Sequence, residues 1–571
     1  MRSIFRLTPL LPAFALAACA TSGPPPPLAE SSIPPAVSGQ SAYGLFLAGQ
    51  SAINDGQGGE AAHYFARAAG AADDADTPLL RSHTFTAALL AGDVHAAASI
   101  APMTDDDLGI RHLAGLTVAV DEMALGQGSK ARAILTGADV GPPQAAAAAL
   151  LAPLAAAEAG DNEAAIGLPV IDGDPVATFF ANIDQGLIFE RLHRYDEAET
   201  AYRSLIERGD PAAVASIDLG ALLERRGRTA DAVAIYDQAR GRMPGDPTLL
   251  ADKARAASRR DAPPLPTLNA TASEALTAVA SVLVIRRQNE GALAYLRLAL
   301  RLDPDRDSAW LLVGDILSNI GDKSGAWAAY LTPKAGSADF VAARGKLAWS
   351  YQAEGRKDDA LEEARTALAA EPESKDAATT LADLLRADER YEDSVNILDR
   401  LITREGDTPD WRLLYMRAVD FQQSDRWPQA ESDLTLALKQ QPDEPELLNF
   451  LGYSWIDRGE KLHEALAMVQ KAVNTNPQSG AMIDSLGWAY YRLGDYTTAV
   501  EKLEQAVSLE AGDADVNNHL GDAYWRVGRR IEARFQWSRV LTLVPDAKLK
   551  TEVEAKLRNG LGPMDMPVSG S

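Results

Sequence analysis

Apolar residues recur along most of this chain at the helical spacing of three and four positions, in segments bounded by Gly, Asp or Pro. In the C-terminal half, these segments themselves repeat at a fixed distance. Gly487 and Gly521 are 34 residues apart, and Tyr490 and Tyr524 follow them at the same offset. A steady period of this length predicts successive helical hairpins, because one hairpin leaves an apolar face that only the next hairpin covers.

The residue types within each period indicate which hairpin it is. The order Leu-Gly-x-x-Tyr, then Ala, a large apolar residue, Ala and Pro resembles the tetratricopeptide repeat (TPR). Small residues at its eighth and twentieth positions let the two helices approach closely, and the large residue at the twenty-fourth position fills the space between them. The chain is therefore predicted to be all-α, a TPR α-solenoid in which helical hairpins form a right-handed superhelix.

The eighth position of the repeat is Gly or Ala throughout the region after residue 272. Successive eighth positions lie 34, 34, 34, 36, 34, 35 and 34 residues apart. We expect the two longer steps to place their additional residues in turns near Gly406 and Glu460, where insertions cost little. The eighth positions are Ala280, Gly314, Ala348, Ala382, Ala418, Gly452, Gly487 and Gly521.

The N-terminal half follows the same pattern less regularly. Residues 41–71 predict one TPR-like hairpin, and Gly186 and Gly220, again 34 residues apart, begin a second regular stretch. Between them, the segment 76–175 keeps helical periodicity but loses the repeat pattern. The helices predicted in this segment cover 77–91, 104–125, 129–136 and 143–160.

A cluster of prolines interrupts the pattern after this stretch. A helix predicted at 248–260 has no second helix to pair with, because the segment 261–269 contains three prolines. Proline cannot continue a helix. We predict a loop at this point and regard it as a candidate hinge between two stretches of solenoid.

These features predict the domain organisation of the chain. The predicted parts are a lipoprotein signal peptide at 1–18, a Pro/Ser/Gly-rich tether at 19–41, degenerate TPR-like helices at 42–175, a TPR pair with an additional helix and the Pro-rich hinge at 176–262, about eight TPR repeats at 263–545, and a capping helix with a disordered tail at 546–571.

The N-terminus has the layout of a bacterial lipoprotein. Arg2 and Arg6 precede and flank the start of a short apolar run at 7–16, which is too short to span a bilayer and ends in small residues. The sequence Leu-Ala-Ala-Cys at 16–19 resembles a lipobox, which implies cleavage before Cys19 and acylation of that residue. Cys19 is the one cysteine of the chain. An ordinary signal peptide followed by a chance cysteine is the alternative.

The residues after Cys19 predict where the anchored protein is located. In the lipoproteins that the sequence resembles, Asp at the next position favours the inner membrane, and here that position is Ala20. The resemblance therefore implies an outer-membrane lipoprotein that faces the periplasm. Residues 20–41 are rich in Pro, Ser and Gly, which favours an extended tether between the anchor and the helices.

Charge and motif content argue against nucleic-acid binding and catalysis. The chain has 55 Lys and Arg against 80 Asp and Glu, and its net charge of −25 has the wrong sign for a phosphate backbone. None of the seven histidines belongs to a His-Glu-x-x-His motif, and no nucleophile elbow, Walker loop or dinucleotide-binding glycine pattern occurs. We predict that the protein is not an enzyme and has no catalytic residue, metal site or cofactor.

The remaining function class is recognition of other proteins. In a TPR hairpin the first helix lines the inner wall through its second, fifth, ninth, twelfth and thirteenth positions. In the last three repeats these positions hold amides, carboxylates, aromatic rings and arginines, which suit an extended peptide. The predicted partner-binding residues are Asn449, Tyr453, Asp484, Trp488, Tyr491, Arg492, Asn518, Asp522, Trp525 and Arg526. The alternative is that Trp488, Tyr491 and Trp525 mainly pack against the neighbouring helix.

The same repeats carry a more specific resemblance. The segments are Leu-Asn-Phe-Leu-Gly-Tyr-Ser-Trp-Ile-Asp-Arg-Gly at 448–459, Asp-Ser-Leu-Gly-Trp-Ala-Tyr-Tyr-Arg-Leu-Gly at 484–494, and the stretch from His-Leu-Gly-Asp-Ala-Tyr-Trp to Gln-Trp at 519–537. Together with the lipobox, they resemble outer-membrane TPR lipoproteins that bind and activate periplasmic carboxyl-terminal processing proteases. The resemblance implies a scaffold that holds the protease and delivers envelope substrates to it. An assembly scaffold for another envelope system, in polysaccharide export or outer-membrane biogenesis, is the alternative.

Overall fold

The computed structural model describes residues 41–54, 58–71, 77–104, 107–171, 173–209, 213–244 and 246–562. All regular secondary structure in these residues is helical, which confirms the predicted all-α class. The predicted signal peptide, Cys19, the tether and most of the C-terminal tail lie outside the described residues. Contacts among the described residues separate them into an N-terminal unit, 41–377, and a C-terminal unit, 378–562.

The N-terminal unit begins with one hairpin and an irregular region. Its first helices are α1 (Ala42–Asn54), α2 (Gly58–Gly70), α3 (Thr77–Ala91), α4 (Val94–Ser99), α5 (Leu108–Ala124), α6 (Gly128–Leu135), α7 (Ala145–Glu158) and α8 (Asn162–Ala165). From α1 to α8 each helix packs on the next in chain order. The four predicted helices of this region are present as α3, α5, α6 and α7, whereas the short α4 and α8 were not predicted.

The start of α5 differs from the prediction for a local reason. The helix begins at Leu108 and not at Thr104, because the Asp107 carboxylate accepts hydrogen bonds from the backbone N–H groups of Gly109 at 2.8 Å and Ile110 at 3.3 Å. An aspartate in this position satisfies N–H groups that have no partner within the helix. The hydrophobic periodicity alone predicted a helix that started at residue 104, before this cap.

Regular hairpins follow the irregular region. The next helices are α9 (Pro175–Arg191), α10 (Tyr195–Glu207), α11 (Val214–Arg225), α12 (Thr229–Arg240) and α13 (Pro247–Ala257). α9 pairs with α10 and α11 pairs with α12, while α13 packs on α12 and α11. These residues therefore form two hairpins followed by one further helix.

Eighth-position glycines mark the contact point of the two helices in a hairpin. A Cβ atom added to Gly220 would lie 2.2 Å from Cε1 of Tyr236, whose ring is fully buried. Other hairpins repeat the contact between this glycine and the residue at the twenty-fourth position. The pairs are Gly49 with Phe65, Gly186 with Tyr202, Gly314 with Tyr330, Gly452 with Val469, Gly487 with Leu503, and Gly521 with Trp537.

Substituting Gly220 by Ala tests this contact. Alanine favours a helix interior over glycine by about 1 kcal/mol, but the Tyr236 ring leaves no room for the added methyl group. We expect a net loss of about 1–2 kcal/mol in the free energy of unfolding, measured by urea denaturation. Gly291→Ala is the matched control, because the nearest atom to its Cβ would be 3.7 Å away. Equal stability of both variants would contradict the contact.

The chain turns back on itself at the Pro-rich segment. The Arg225 guanidinium donates a hydrogen bond to the carbonyl of Pro263 at 3.1 Å, and Arg191 donates one to the carbonyl of Pro266. α14 (Leu268–Ile285) starts directly afterwards. The predicted loop is therefore present, and two arginines of α9 and α11 hold it against the hairpins that precede it.

The hairpin after this loop packs against the beginning of the unit. α14 contacts α7 and α9, and its partner α15 (Asn289–Leu302) contacts α3, α4 and α5. Among the described helices, α14 is the one with the length and apolarity that a bilayer span would need. In this fold it is a core helix of the N-terminal unit.

Polar contacts of α15 accompany this packing. Nε of Arg297 donates a hydrogen bond to the carbonyl of Leu90 at 3.0 Å, and Nε of Arg301 lies 2.8 Å from Oδ1 of Asp121. The second oxygen of Asp121 pairs with Nδ1 of His95 at 2.9 Å. Because α14 and α15 join the earlier helices, the N-terminal compact unit continues past the Pro-rich loop to residue 377.

Two more hairpins complete the N-terminal unit, and the C-terminal unit is a regular array. The former consist of α16 (Asp307–Asn319), α17 (Lys323–Leu331), α18 (Phe340–Ala353) and α19 (Lys357–Ala370). The division between the units falls in the first turn of α20 (Lys375–Ala387). The helices after it are α21 (Tyr391–Glu405), α22 (Trp411–Gln423), α23 (Trp427–Gln440), α24 (Pro445–Arg458), α25 (Leu462–Thr475), α26 (Gly480–Arg492), α27 (Tyr496–Leu509), α28 (Ala514–Arg526), α29 (Arg530–Thr542) and α30 (Ala547–Asn559).

The irregular steps and the cap of this array agree with the predictions. α21 ends at Glu405, directly before Gly406, and the turn around Glu460 lies between α24 and α25, so both longer steps fall in turns. The predicted capping helix is α30. Asp546 caps its start by accepting a hydrogen bond from the backbone N–H of Leu549 at 2.8 Å, and Gly560, with φ of 72°, ends it.

Candidate functional site

The predicted partner-binding residues lie on α24, α26 and α28, the first helices of three consecutive hairpins. α24 contacts α26, and α26 contacts α28. We call the surface that these three helices share the first-helix face. Gly452, Gly487 and Gly521 hold each first helix close to its second helix, so the hairpin contacts described above also set the positions of the side chains on this face.

Neighbouring first helices meet in a regular register. The rings of Trp488 and His519, 31 residues apart, stack with their centroids 4.2 Å apart and an interplanar angle of 16°. Asp484 and His519, 35 residues apart, form an ion pair in which Nδ1 lies 2.9 Å and 3.0 Å from the two carboxylate oxygens. The two spacings differ by one helical turn, as expected for side chains that pack between the residues of an adjacent helix.

Trp488 lies at the centre of an aromatic stack. Its ring stacks on Tyr491 with centroids 4.5 Å apart and an interplanar angle of 8°, while its other contact is the imidazole of His519. Tyr491 is buried and Trp488 is half-buried. Trp488 and Tyr491 both lie on α26, so the contact of this stack with the neighbouring helix is the one from Trp488 to His519 on α28, which is the packing expected in the alternative.

Both predicted arginines of the face already have acceptors within the chain. Nη1 of Arg492 donates to the backbone carbonyl of Asp457 at 2.7 Å. Arg526 donates from Nε to the Tyr491 hydroxyl at 3.2 Å and from Nη1 to the carbonyl of Gly562 at 2.8 Å. These contacts tie each arginine to another part of the array, and neither side chain is fully exposed.

The capping helix α30 occupies part of the face. Nζ of Lys556, a residue that is 7% exposed, lies 2.9 Å from Oδ1 of Asn518 and 2.7 Å from Oδ2 of Asp522. The other oxygen of Asp522 accepts a hydrogen bond from Nε1 of Trp537 at 2.9 Å. Burial raises the pKa of Asp522, and the Lys556 ammonium opposes that shift. Asn518 and Asp522 therefore connect α28 to its cap.

Trp525 also contacts the end of the array. Its ring centroid lies 5.3 Å from that of Trp537, and the guanidinium of Arg530 lies 5.0 Å from it. A Cβ atom added to Gly560 would lie 2.1 Å from the Trp525 ring, so the glycine that ends α30 is also required by this packing. Trp525 is half-buried.

The ten predicted residues thus fall into two groups by exposure. The buried group comprises Asn449, Tyr453, Asp484, Tyr491, Asn518 and Asp522. The partly exposed group comprises Trp488, Arg492, Trp525 and Arg526. A bound peptide would meet the second group first, and partner binding by either group stays a prediction.

Sequence reasoning missed three residues of this surface, His519, Asp515 and Lys556. Burial alone lowers the pKa of His519, but the Asp484 carboxylate raises it to about 9, so the imidazole is cationic at neutral pH. The signal for His519 was its spacing of 35 residues from Asp484. Asp515 occupies the second position of its repeat. That position belongs to the inner-wall set, but Asp515 was not among the predicted partner-binding residues.

Comparison with known families agrees with the repeat pattern. A model described as tetratricopeptide repeat matches residues 183–247 and 415–480, and another model of that description matches 351–417. A third, described as TPR repeat, matches 487–528. The chain is a tetratricopeptide-repeat protein. TPR proteins bind protein partners, and most are scaffolds without enzymatic activity.

Two curated relatives share part of this TPR chain. The TPR repeat-containing protein PA4667 of Pseudomonas aeruginosa is 36% identical over 113 residues, which cover 20% of this chain and 19% of the relative. The putative cellulose synthase operon protein C of Escherichia coli O157:H7 is 26% identical over 201 residues, covering 32% of this chain and 17% of the relative. The aligned segments thus span about a fifth of each relative.

Two solved structures show partial similarity to this chain. The match to a chain in the crystal structure of the APC/C hetero-tetramer Cut9–Hcn1 covers 86% of this chain and 97% of that chain, with 16% identity and a TM-score of 0.37. The match to the crystal structure of a tetratricopeptide repeat protein from Parabacteroides merdae covers 50% of this chain and 99% of that chain, with 15% identity and a TM-score of 0.35.

Proposed function

We propose that this TPR protein is a lipid-anchored scaffold of the bacterial envelope that holds a carboxyl-terminal processing protease and brings envelope substrates to it. The observation that carries the proposal is the first-helix face. It combines the half-buried Trp488 and Trp525 with Arg492 and Arg526 in one continuous register. The segments that form this face are those whose sequence resembles the adaptors of such proteases.

The chemistry of the face suits a protein segment. Aromatic rings offer flat apolar contact at a low cost in side-chain entropy, and the arginines keep further donors beside their present acceptors. Cys19 and the Pro-rich residues after it supply the anchor and the tether of the proposal, which places the helices on the periplasmic side of the outer membrane.

Capture from envelope extract tests this proposal. The full chain carries an affinity tag, is expressed in its own bacterium, and the bound proteins are identified by mass spectrometry. We expect a processing protease in the wild-type sample and its loss with the double variant Trp488→Ala/Arg492→Ala, because both side chains belong to the partly exposed group. The helical circular-dichroism spectrum of the variant should stay unchanged.

The matched control is Phe535→Ala. Phe535 is an aromatic residue on the second-helix side, in α29, and it is 67% exposed. We expect this variant to keep the protease. Absence of any processing protease from the wild-type sample would contradict the proposed function, and loss with Phe535→Ala alone would move the binding surface to α29.

A second candidate function is assembly of a polysaccharide-export system. It is favoured by the similarity to the putative cellulose synthase operon protein C over 201 residues. In that case the capture experiment recovers components of an export or synthase complex and no protease.

A further inference from the structure

The outer side of α29 exposes two large apolar residues one helical turn apart. Ile531 is 84% exposed and Phe535 is 67% exposed, although the same helix supplies the fully buried Trp537 to the core of its hairpin. Residues four positions apart are neighbours on a helix surface, so the two side chains form one small apolar patch. Single exposed apolar residues are common in proteins, whereas adjacent ones form a surface to which something else can bind.

The other hairpins of the C-terminal unit do not carry this apolar patch. Its two residues lie two positions before and two positions after Ala533, the twentieth position of the last repeat. On the preceding second helix, α27, the same positions hold Thr497 and Glu501, and both are exposed. In the three hairpins before that one, the positions hold His463 and Ala467, Pro428 and Ser432, and Glu392 and Asn396. The repeat itself therefore does not require a large apolar pair here.

Exposed arginines flank the apolar patch. Arg530 and Arg534 each precede one of its residues, and their guanidinium groups lie 5.0 Å and 5.8 Å from the ring centroid of Trp525. Arg539, one turn after the patch, donates a hydrogen bond to the carbonyl of Ala511 at 3.2 Å. Among the residues that the structure describes, none of the three arginines has an ion-pair partner. Their charges are therefore available to an anionic surface.

This end of the chain has the opposite charge to the whole. Residues 530–559, which form α29, the turn after it and α30, contain seven Lys and Arg against four Asp and Glu. The whole chain contains 55 against 80. Glu532 is the one acidic residue of α29, and its carboxylate lies 3.0 Å from Nε of Arg529. An acidic chain approaches a negatively charged surface through its basic part, because the remainder is repelled.

We infer that the outer side of α29 contacts an anionic phospholipid surface, with Ile531 and Phe535 in the interface and Arg530 and Arg534 beside the phosphates. Exposed apolar side chains flanked by cations are the features with which helices bind in the plane of a membrane interface. Both apolar side chains project from the helix. A lipid interface accepts projecting groups without a matching pocket, whereas a protein partner has to provide complementary packing.

This inference goes beyond the proposed function, because it concerns a different helix and needs no protease. Two apolar side chains and a few cations give weak and reversible membrane binding on their own. An acyl group at Cys19 would keep the chain at the bilayer and raise the local concentration of α29 there. The contact would then orient the last hairpin relative to the lipid surface.

A single fluorescent label on α29 tests the inference. Cys19 is the only cysteine of the chain, so the full chain with Cys19→Ser and Ser538→Cys takes one label and carries no acyl group. Ser538 is exposed on α29, close to the patch in the helical register. We expect the emission of a nitrobenzoxadiazole label to shift to the blue with vesicles of equal phosphatidylcholine and phosphatidylglycerol, and not with phosphatidylcholine alone. The same label at Ser432→Cys, exposed on α23, should not respond.

Two double variants identify the side chains responsible. Ile531→Thr with Phe535→Glu introduces the residues that α27 carries at the same positions, so both types are compatible with this hairpin. Arg530→Gln with Arg534→Gln removes two cations and keeps similar side-chain lengths. We expect each double variant to bind the anionic vesicles roughly tenfold more weakly, measured as the lipid concentration that gives half of the spectral shift. Circular dichroism should show unchanged helix content.

A charge-matched control uses arginines elsewhere. Arg365→Gln with Arg400→Gln removes two exposed cations from α19 and α21, and vesicle binding should stay as in the wild type. The absence of a shift of the Ser538 label with anionic vesicles overturns the inference, and so does a shift that both α29 variants leave unchanged. A shift caused without lipid by a second copy of the chain, or by an envelope protein, shows that α29 docks protein and contradicts the membrane contact. The capture experiment measures the first-helix face separately from all of these results.

Discussion

Replacing Asp522 by Ala should destabilise the end of the array by about 2–4 kcal/mol, because the buried Lys556 keeps only Glu552 as a carboxylate partner and the Trp537 N–H loses its acceptor. The substitution removes the carboxylate that lies 2.7 Å from the Lys556 ammonium and 2.9 Å from Nε1 of Trp537. Lys556 is 7% exposed and Trp537 is fully buried, so water replaces neither lost bond without opening the packing between α28 and α30.

Hydrogen–deuterium exchange of residues 514–559 measures this effect, because repeat arrays open locally and not always as one unit. The matched variant is Asp522→Asn combined with Lys556→Met, which removes both charges and keeps an acceptor for the Trp537 N–H group. We expect the double variant to lose much less stability than Asp522→Ala. If the amides of α30 are as well protected from exchange in Asp522→Ala as in the wild type, the ion pair is not what holds the cap.

Raising the pH from 6.5 to above 9 should weaken the contact between α26 and α28 by roughly 3 kcal/mol. The Asp484 carboxylate raises the pKa of His519 to about 9 in the folded chain against the tendency of burial, whereas the ordinary value is 6.5. A group whose pKa is raised on folding contributes its full stabilisation below the unfolded pKa. That stabilisation decreases as the pH rises and is lost through the folded pKa.

The measurement is the urea-unfolding free energy of the C-terminal repeats at several pH values between 6 and 10. Asp484→Asn should remove most of the pH dependence, because it deletes the charge that favours the imidazolium. His463→Gln is the control, since His463 lies exposed on α25 and should leave the profile unchanged. A wild-type profile that is flat between pH 6.5 and 9 would show that His519 is neutral in the fold.

The hairpins could be predicted because their determinants are local and repeat. Gly220 faces Tyr236 sixteen residues later, and the same pairing recurs as Gly487 with Leu503. Helix spacing, small residues and turn positions all agree there, so the pattern alone identifies the fold. The short helices α4 and α8 escaped prediction because one or two turns carry too little periodicity to recognise.

The packing of α14 and α15 could not be predicted in the same way. Nothing in the sequence near Arg297 or Arg301 indicates that their acceptors lie 207 and 180 residues earlier. On the first-helix face, the sequence indicated which positions carry polar side chains but not which side chains of the same chain they contact. Asp484 and Asp522 occupy positions that suit a bound peptide, yet His519 and Lys556 satisfy both of them within the chain.

The bond from Arg297 to the carbonyl of Leu90 sets an order of events during synthesis. At 5–20 residues per second, the ribosome needs about 10–40 s to make the residues between them. The helices α3, α4 and α5 are made well before α15, so the surface that α15 covers stays exposed to solvent until then. The first third of this chain therefore completes its folding only when residue 302 has been made, whereas each later hairpin of the C-terminal array needs only its neighbour.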